Sequence, residues 1–297
     1  MAPFLFSDSF ESYLSAEKRY SNHTIVAYLK DLEQFFEFSG INRQDELSEI
    51  NSKLIRGWLV NLINNQYTNK SANRKLSSLR TYFNFLKRNQ LITKNPLTGI
   101  RAPKSEKRLP QFANEKDLDA SVNLNKSVST FNEIRDALMI ELFYQTGMRL
   151  SELIHLQEID VQAGKLKVLG KRNKERILPI SKELFQLIQE YLISKKESGF
   201  DSKWLINTNS GNKLYPKFVY RKINNYLGRA TDLEKCSPHV LRHTFATHML
   251  NNGAGLETIK ELLGHASLSA TQVYTHNSFA QITNIYSQAH PRGHKNK

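Results

Sequence analysis

Apolar residues in the first hundred positions return at three- and four-residue steps, in four runs separated by polar turns. This rhythm predicts helices over Ser9–Tyr20, Thr24–Ser39, Ser52–Asn65 and Ser71–Asn89. In the last of them Leu76, Leu79, Phe83 and Leu86 share one face, and Arg74, Ser77, Thr81 and Arg88 share the opposite one. A stripe of hydroxyls and guanidiniums facing outward is suited to follow a phosphate backbone.

The stretch NPLTGIRAPKSEKRLPQF then interrupts the helical rhythm with three prolines and a glycine among charges, and reads as an extended tether. Residues 1–100 are thus expected to form a helical domain, 101–111 a basic linker and 112–297 a second domain. The second domain has a mixed pattern. Phe131–Thr146 reads as a helix closed by Gly147, and KLKVLG and RILPI read as two short strands around the turn KRNK. Helices are expected again over Lys182–Lys196, Pro216–Ala230, Pro238–Asn252 and Leu256–Leu263, with a last pair around Tyr274 and over Phe279–Gln288. The fold class is mainly α, in two domains, the second carrying a small sheet.

Charge narrows the partner. The 297 residues hold 42 Lys plus Arg against 28 Asp plus Glu, a net charge of +14, which favours a polyanion. Between Glu49 and Glu106 there is no acidic residue, while Lys53, Arg56, Lys70, Arg74, Lys75, Arg80, Lys87, Arg88, Lys94, Arg101 and Lys104 are all basic. Such a segment suits contact with nucleic-acid phosphates better than simple solvation. A membrane surface is a poorer fit, because Asp8 interrupts MAPFLFSDSF too early for a signal segment and no apolar run is long enough to span a bilayer. A single cysteine, Cys236, excludes an internal disulfide and fits a reducing cytoplasm.

Six polar residues supply what phosphoryl transfer to a tyrosine requires. They are Arg149 in TGMRLSEL, Lys171 in LGKRNKER, His239 and Arg242 in PHVLRH, His265 in LLGH, and Tyr274 in TQVYTH. Arginines offer forked donors to the nonbridging oxygens of a phosphate, and so stabilise a pentacoordinate transition state. His239 follows Ser237 and Pro238, an N-cap and a first helical residue, so it opens a helix whose unpaired amides favour an anion. His239 and His243 also have the spacing of a zinc helix, yet the VLR between them contains no glutamate base and no third ligand is evident.

In these motifs the chain resembles the tyrosine recombinase (integrase) family, and within it the Xer site-specific recombinases. The order of arginine, hairpin lysine, HxxR, second histidine and tyrosine matches, as does the step from His265 to Tyr274. The ending IYSQAHPRG is similar to that of the XerC-like branch. The resemblance implies an N-terminal four-helix core-binding (SAM-like) domain and a C-terminal α+β catalytic domain that ends in an exchange helix. It also implies strand transfer on duplex DNA through a 3′-phosphotyrosyl bond, without metal, ATP or other cofactor. Tyr274 is then the nucleophile, Arg149 and Arg242 hold the phosphate, and His239 assists proton transfer. Lys171 is the general acid, His265 bonds a nonbridging oxygen, and Glu152 orients Arg149.

One departure stands out: relatives commonly read GKGNKER, and Arg172 here replaces the second glycine, which shifts the turn to Asn173; on spacing, Lys174 is a competing acid. Ile282, Ile285 and Tyr286 are expected to dock on a neighbouring protomer and close a cyclic tetramer, homomeric or with an XerD-like recombinase, on a dif-like site. An FtsK-like translocase as controller and a cytoplasmic, nucleoid-associated location complete the expectation. The role implied is resolution of chromosome or plasmid dimers. A phage or transposon integrase, a silent DNA-binding regulator and a type IB topoisomerase are the competing readings.

Overall fold

Four helices, three of them capped by a side chain, build the first of two units. The computed structural model describes residues 4–104, 111–122, 130–170, 174–264 and 276–293, and the chain divides into Met1–Arg108 and Leu109–Lys297. In the first unit, α1 (Ser7–Ser12) runs into a π-helical turn over Tyr13–Glu17, followed by α2 (Asn22–Ser39), α3 (Ser52–Asn64) and α4 (Asn69–Arg88). Ser21, Asn51 and Thr68 each accept an amide of the first turn of the helix that follows, so the starts of α2, α3 and α4 are fixed locally. Phe35 meets Trp58 edge-on with ring centroids 5.2 Å apart, and Tyr82 anchors the N-terminal segment by donating to the Leu5 carbonyl at 2.6 Å.

The outward stripe of α4 is largely exposed but not isolated. Arg74, Ser77 and Arg88 are exposed and Thr81 is half-buried. Arg74 nevertheless pairs with Asp31, and Arg88 with Glu17 at 2.6 Å. Lys75, read as part of a phosphate-facing segment, is instead buried with its ammonium 3.0 Å from Asp31, which also accepts the Ser78 hydroxyl at 2.7 Å. A segment without acids in sequence therefore meets them in space. A buried carboxylate needs partners, and Asp31 takes them from α4.

In the second unit α6 (Phe131–Thr146) is the central element. Thr130 and Glu133 form a reciprocal capping box at its start, and Gly147, at φ 60°, closes it by donating to the Phe143 carbonyl. Almost every residue from Ala137 to Thr146 is buried, because α6 is enclosed by α8 (Lys182–Glu197), α9 (Pro216–Ala230) and α10 (Pro238–Asn251). Two short helices that the sequence pattern did not indicate, α5 (Glu115–Val122) and α7 (Leu150–His155), complete this part with α11 (Leu256–Leu263) and α12 (His276–Ala289).

The sheet has the antiparallel order β1 (Val161–Gln162), β2 (Lys165–Leu169), β3 (Glu175–Pro179). Register runs from Lys165 opposite Pro179 to Leu169 opposite Glu175, and Gly170 closes the hairpin by donating to the Lys174 carbonyl at 2.8 Å.

The C-terminal segment is locked to α6. Ile282 and Tyr286 are buried in their own chain and Ile285 packs against the same core, so the residues expected to dock on a neighbour here complete their own unit. Tyr286 donates to Gln145 at 3.2 Å, Arg292 pairs with Glu141 at 3.0 Å, and His290 donates from Nε2 to the Tyr144 carbonyl at 3.1 Å. Among the described residues no helix is long and apolar enough to cross a membrane.

Candidate active site

Arg149 occupies the N-cap position of α7, two residues beyond the glycine that ends α6. Its amide donates to Glu152 Oε2 at 2.7 Å and its Nη1 donates to Glu152 Oε1 at 2.9 Å, so the carboxylate expected to orient this guanidinium contacts both the backbone and the side chain of Arg149. Glu152 is 3 % exposed. Burial opposes its charge, but the guanidiniums of Arg176 and Arg149, with the Arg149 amide, outweigh that penalty and hold the carboxyl below the usual carboxylate range.

Arg242 reaches the same place from α10. It donates through Nη1 to the Gly147 carbonyl and through Nη2 to the Leu263 carbonyl at 2.6 Å, while Arg149 Nη2 donates to the Gly264 carbonyl at 3.0 Å. The last carbonyls of a helix have no partners within it and carry partial negative charge, which is why two like-charged side chains can be held side by side there. Burial, and then repulsion by Arg149, lower the Arg242 pKa to about 10, which leaves it charged at neutral pH. Gly147 fits tightly between these elements: a Cβ there would lie 2.6 Å from the Phe245 ring and 2.8 Å from Leu263.

His239 lies in the first turn of α10 and is exposed, three residues before Arg242 and on its side of the helix. Ser237 takes the expected N-cap position but its hydroxyl makes no capping bond, so the amides of that turn are not satisfied by it. His243 is half-buried, and burial lowers its pKa. His248 faces inward, its Nδ1 3.0 Å from the Tyr144 hydroxyl, which makes it a packing residue. Cys236 is buried, and desolvation raises its thiol pKa. Lys174 is exposed at the end of the hairpin. Lys171, His265 and Tyr274 lie outside the described residues.

One residue of this cluster escaped the sequence reading. Arg176, on β3, grips Glu152 with both terminal nitrogens, Nη1 to Oε1 at 2.9 Å and Nη2 to Oε2 at 2.8 Å, and its Nε donates to the Leu262 carbonyl at 2.8 Å. The signal was present: alternation along ERILPI puts Arg176 on the same inward face as Leu178, an unusual place for a charge.

Comparison with known proteins places the chain. Residues 114–281 match the phage integrase family and residues 8–90 its N-terminal SAM-like domain. A tyrosine recombinase XerC of Natranaerobius thermophilus is 36% identical over 295 residues, covering 95% of this chain and 97% of the relative. One from Staphylococcus epidermidis is 38% identical, covering 97% of this chain and 98% of its own.

Among solved structures, the XerH site-specific recombinase in a post-cleavage complex with its palindromic difH substrate superposes with a TM-score of 0.68 at 23% identity, over 95% of this chain and 84% of that one. A lambda integrase tetramer bound to a Holliday junction superposes at 0.65 and 21% identity, over 88% of this chain and 74% of that one. These structures share the fold, and the sequence relatives share the family. The chain belongs to the phage integrase family and is a site-specific tyrosine recombinase of the Xer type.

Proposed function

We propose that Tyr274 attacks a DNA phosphodiester held by Arg149 and Arg242, displacing the 5′ oxygen and forming a 3′-phosphotyrosyl bond. One observation carries this reading: the convergence of the two arginines on the end of α11. Each uses two side-chain N–H groups on protein acceptors, which leaves three of a guanidinium's five for another acceptor. Two fixed cations with donors to spare suit the two nonbridging oxygens of a phosphate, and they gain most as charge builds in the transition state.

A phenol with an ordinary pKa of about 10 must lose its proton to attack, and His239 is assigned that proton. Lys171 is assigned the proton delivered to the departing 5′ oxygen, and His265 a hydrogen bond to a nonbridging oxygen. Because the phosphodiester energy is kept in the tyrosyl ester, a 5′ hydroxyl of a second duplex can reverse the step and reseal the strand without a nucleotide. The exposed face of α4, with Arg74, Ser77, Thr81 and Arg88, is assigned to the DNA backbone.

The biological setting we infer is resolution of chromosome or plasmid dimers by a cyclic tetramer on a dif-like site, in the cytoplasm and associated with the nucleoid. The XerC relatives and the likeness to recombinases solved on difH and on a Holliday junction support it. An XerD-like partner and an FtsK-like translocase belong to the same inference. Exchange of α12 between protomers would require Ile282 and Tyr286 to leave the core they occupy in their own chain.

The test is incubation with a nicked duplex from the host's replication terminus, in which the released 5′ fragment diffuses away. A trapped covalent product establishes strand transfer and locates the site. Sequence-specific binding with no adduct would favour a silent regulator instead.

A further inference from the structure

Three consecutive carbonyls at the end of α11 are each held by a different arginine: Leu262 by Arg176 Nε at 2.8 Å, Leu263 by Arg242 Nη2 at 2.6 Å, and Gly264 by Arg149 Nη2 at 3.0 Å. Two of the three are the pair assigned to the phosphate. The third is buried, and each of its two terminal nitrogens donates to Glu152. We propose that Arg176 is a positioning residue for strand transfer, holding the Glu152 carboxylate and the α11 terminus so that Arg149 presents its guanidinium to the scissile phosphate. This rests on the role proposed for Arg149.

Glu152 is surrounded by four donors, two from Arg176 and two from Arg149. Without Arg176, a buried carboxylate keeps only Arg149. The fork of Arg149 would then close on both carboxylate oxygens, spending the donors that face the phosphate, and a carboxylate shared by two guanidiniums would become one that cancels the charge of a single guanidinium. With Arg176 in place, the set of Arg149, Glu152 and Arg176 keeps one net positive charge.

Lysine cannot replace it. Arg176 spreads its donors over three nitrogens, two along the carboxylate edge and Nε toward the Leu262 carbonyl, a span that the single nitrogen of an ammonium does not reproduce. The packing is equally demanding, because a Cβ at Gly264 would sit 3.1 Å from Arg176 Nη1, and one at Gly170 would sit 3.4 Å from it and 3.5 Å from Glu152 Oε1. The guanidinium thus lies against two glycines that immediately precede Lys171 and His265 in sequence.

The experiment measures adduct formation on the nicked duplex for wild type, Arg149→Gln, Arg176→Gln, Arg176→Lys and the double variant Arg176→Gln/Glu152→Gln. Each is tested with an ordinary phosphate and with a methylphosphonate at the cleavage position, which removes one nonbridging charge. Loss of a residue that holds an active group in place commonly reduces activity by about 10- to 100-fold, the loss expected for Arg176→Gln and Arg176→Lys, with duplex affinity little changed. The double variant should recover part of that loss, because it removes the unpaired buried carboxylate. The deficits of Arg149→Gln and Arg176→Gln should both shrink on the methylphosphonate.

Normal cleavage by Arg149→Gln would overturn the role of Arg149 itself. An impaired Arg149→Gln beside a fully active Arg176→Gln would overturn only the present proposal. So would an Arg176→Gln deficit equal on both substrates, which is the mark of a merely structural loss. If Arg176→Gln alone fails to fold, the double variant, which leaves no lone buried charge, decides by the same substrate comparison.

Discussion

Lowering the pH from 7 to 5 should loosen the C-terminal segment from α6, and His290 supplies most of the effect. Its ring is 1 % exposed and its protonation state is set by its neighbours. The Arg292 amide donates to Nδ1 at 3.0 Å, so Nδ1 must accept, while Nε2 carries the proton that reaches the Tyr144 carbonyl at 3.1 Å. A second proton would have to sit on Nδ1 facing an N–H, in a pocket lined by the rings of Tyr144, Phe245 and Tyr286. Burial, reinforced by Arg292 and His248, pushes the pKa down to about 3 from an ordinary 6.5.

A histidine with a depressed folded-state pKa contributes stability that is complete above its unfolded pKa and is lost as pH falls toward the folded value. Linkage then gives a loss of about 2 kcal/mol between pH 7 and pH 5, rising by ~1.4 kcal/mol per further unit until about pH 3. His248, also lowered by burial, acts in the same direction. The assay is urea unfolding of wild type and His290→Gln at both pH values, with hydrogen exchange across α12 to localise the change. The variant starts less stable at pH 7 but should lose ~2 kcal/mol less on acidification. Parallel pH dependences in the two proteins would refute the reasoning, since the titration would then reside elsewhere.

Tyr274→Phe should keep DNA affinity and lose the covalent adduct, because only the nucleophilic oxygen is removed; a suicide substrate with parallel binding measurements reads both. Lys171→Ala should lose roughly 10²- to 10⁴-fold on normal DNA and recover when sulfur replaces the 5′ bridging oxygen, whose thiolate needs no proton to leave. Selective sulfur rescue of Lys174→Ala would transfer the general-acid role to Lys174. Neutralising Arg74 and Arg88 together should weaken binding to all sequences and reduce the log–log salt slope by about 0.9 for each phosphate no longer neutralised. Each arginine spends one nitrogen on a carboxylate, Asp31 or Glu17, and keeps other donors for a phosphate; an unchanged slope on cognate and scrambled duplexes would remove this face of α4 from the interface.

Much of the helical framework could be read from local signals. Pro216 and Pro238 begin α9 and α10, and Gly147 and Gly264 end α6 and α11, because a fixed φ or a left-handed cap is a property of a single residue. The outward stripe of α4 was legible as periodicity, but its pairing with Asp31 was not, since a contact between residues 43 positions apart leaves no trace in spacing. α7 is six residues long, too short to show a period, although Leu153 and Ile154 are buried in the core beside Glu152. Arg149, Arg242 and Glu152 were recognisable from their motifs. What the motifs could not show is that backbone carbonyls, which have no letter in a sequence, are what hold the guanidiniums together.

Gly147 gives that arrangement a dimension. The turn leading to Arg149, the helix carrying Arg242 and the terminus of α11 come together where this residue has no side chain; its carbonyl takes one arginine, and its bare Cα lets Phe245 and Leu263 approach. It works as a gauge block, and its width is a missing methyl. An alanine would set the gauge wider, moving both guanidiniums outward together while each kept its own charge and rotamer. Tolerance in this recombinase should therefore not follow contact with substrate: an apolar contact behind the two guanidiniums, made by residues with no chemistry of their own, sets their spacing.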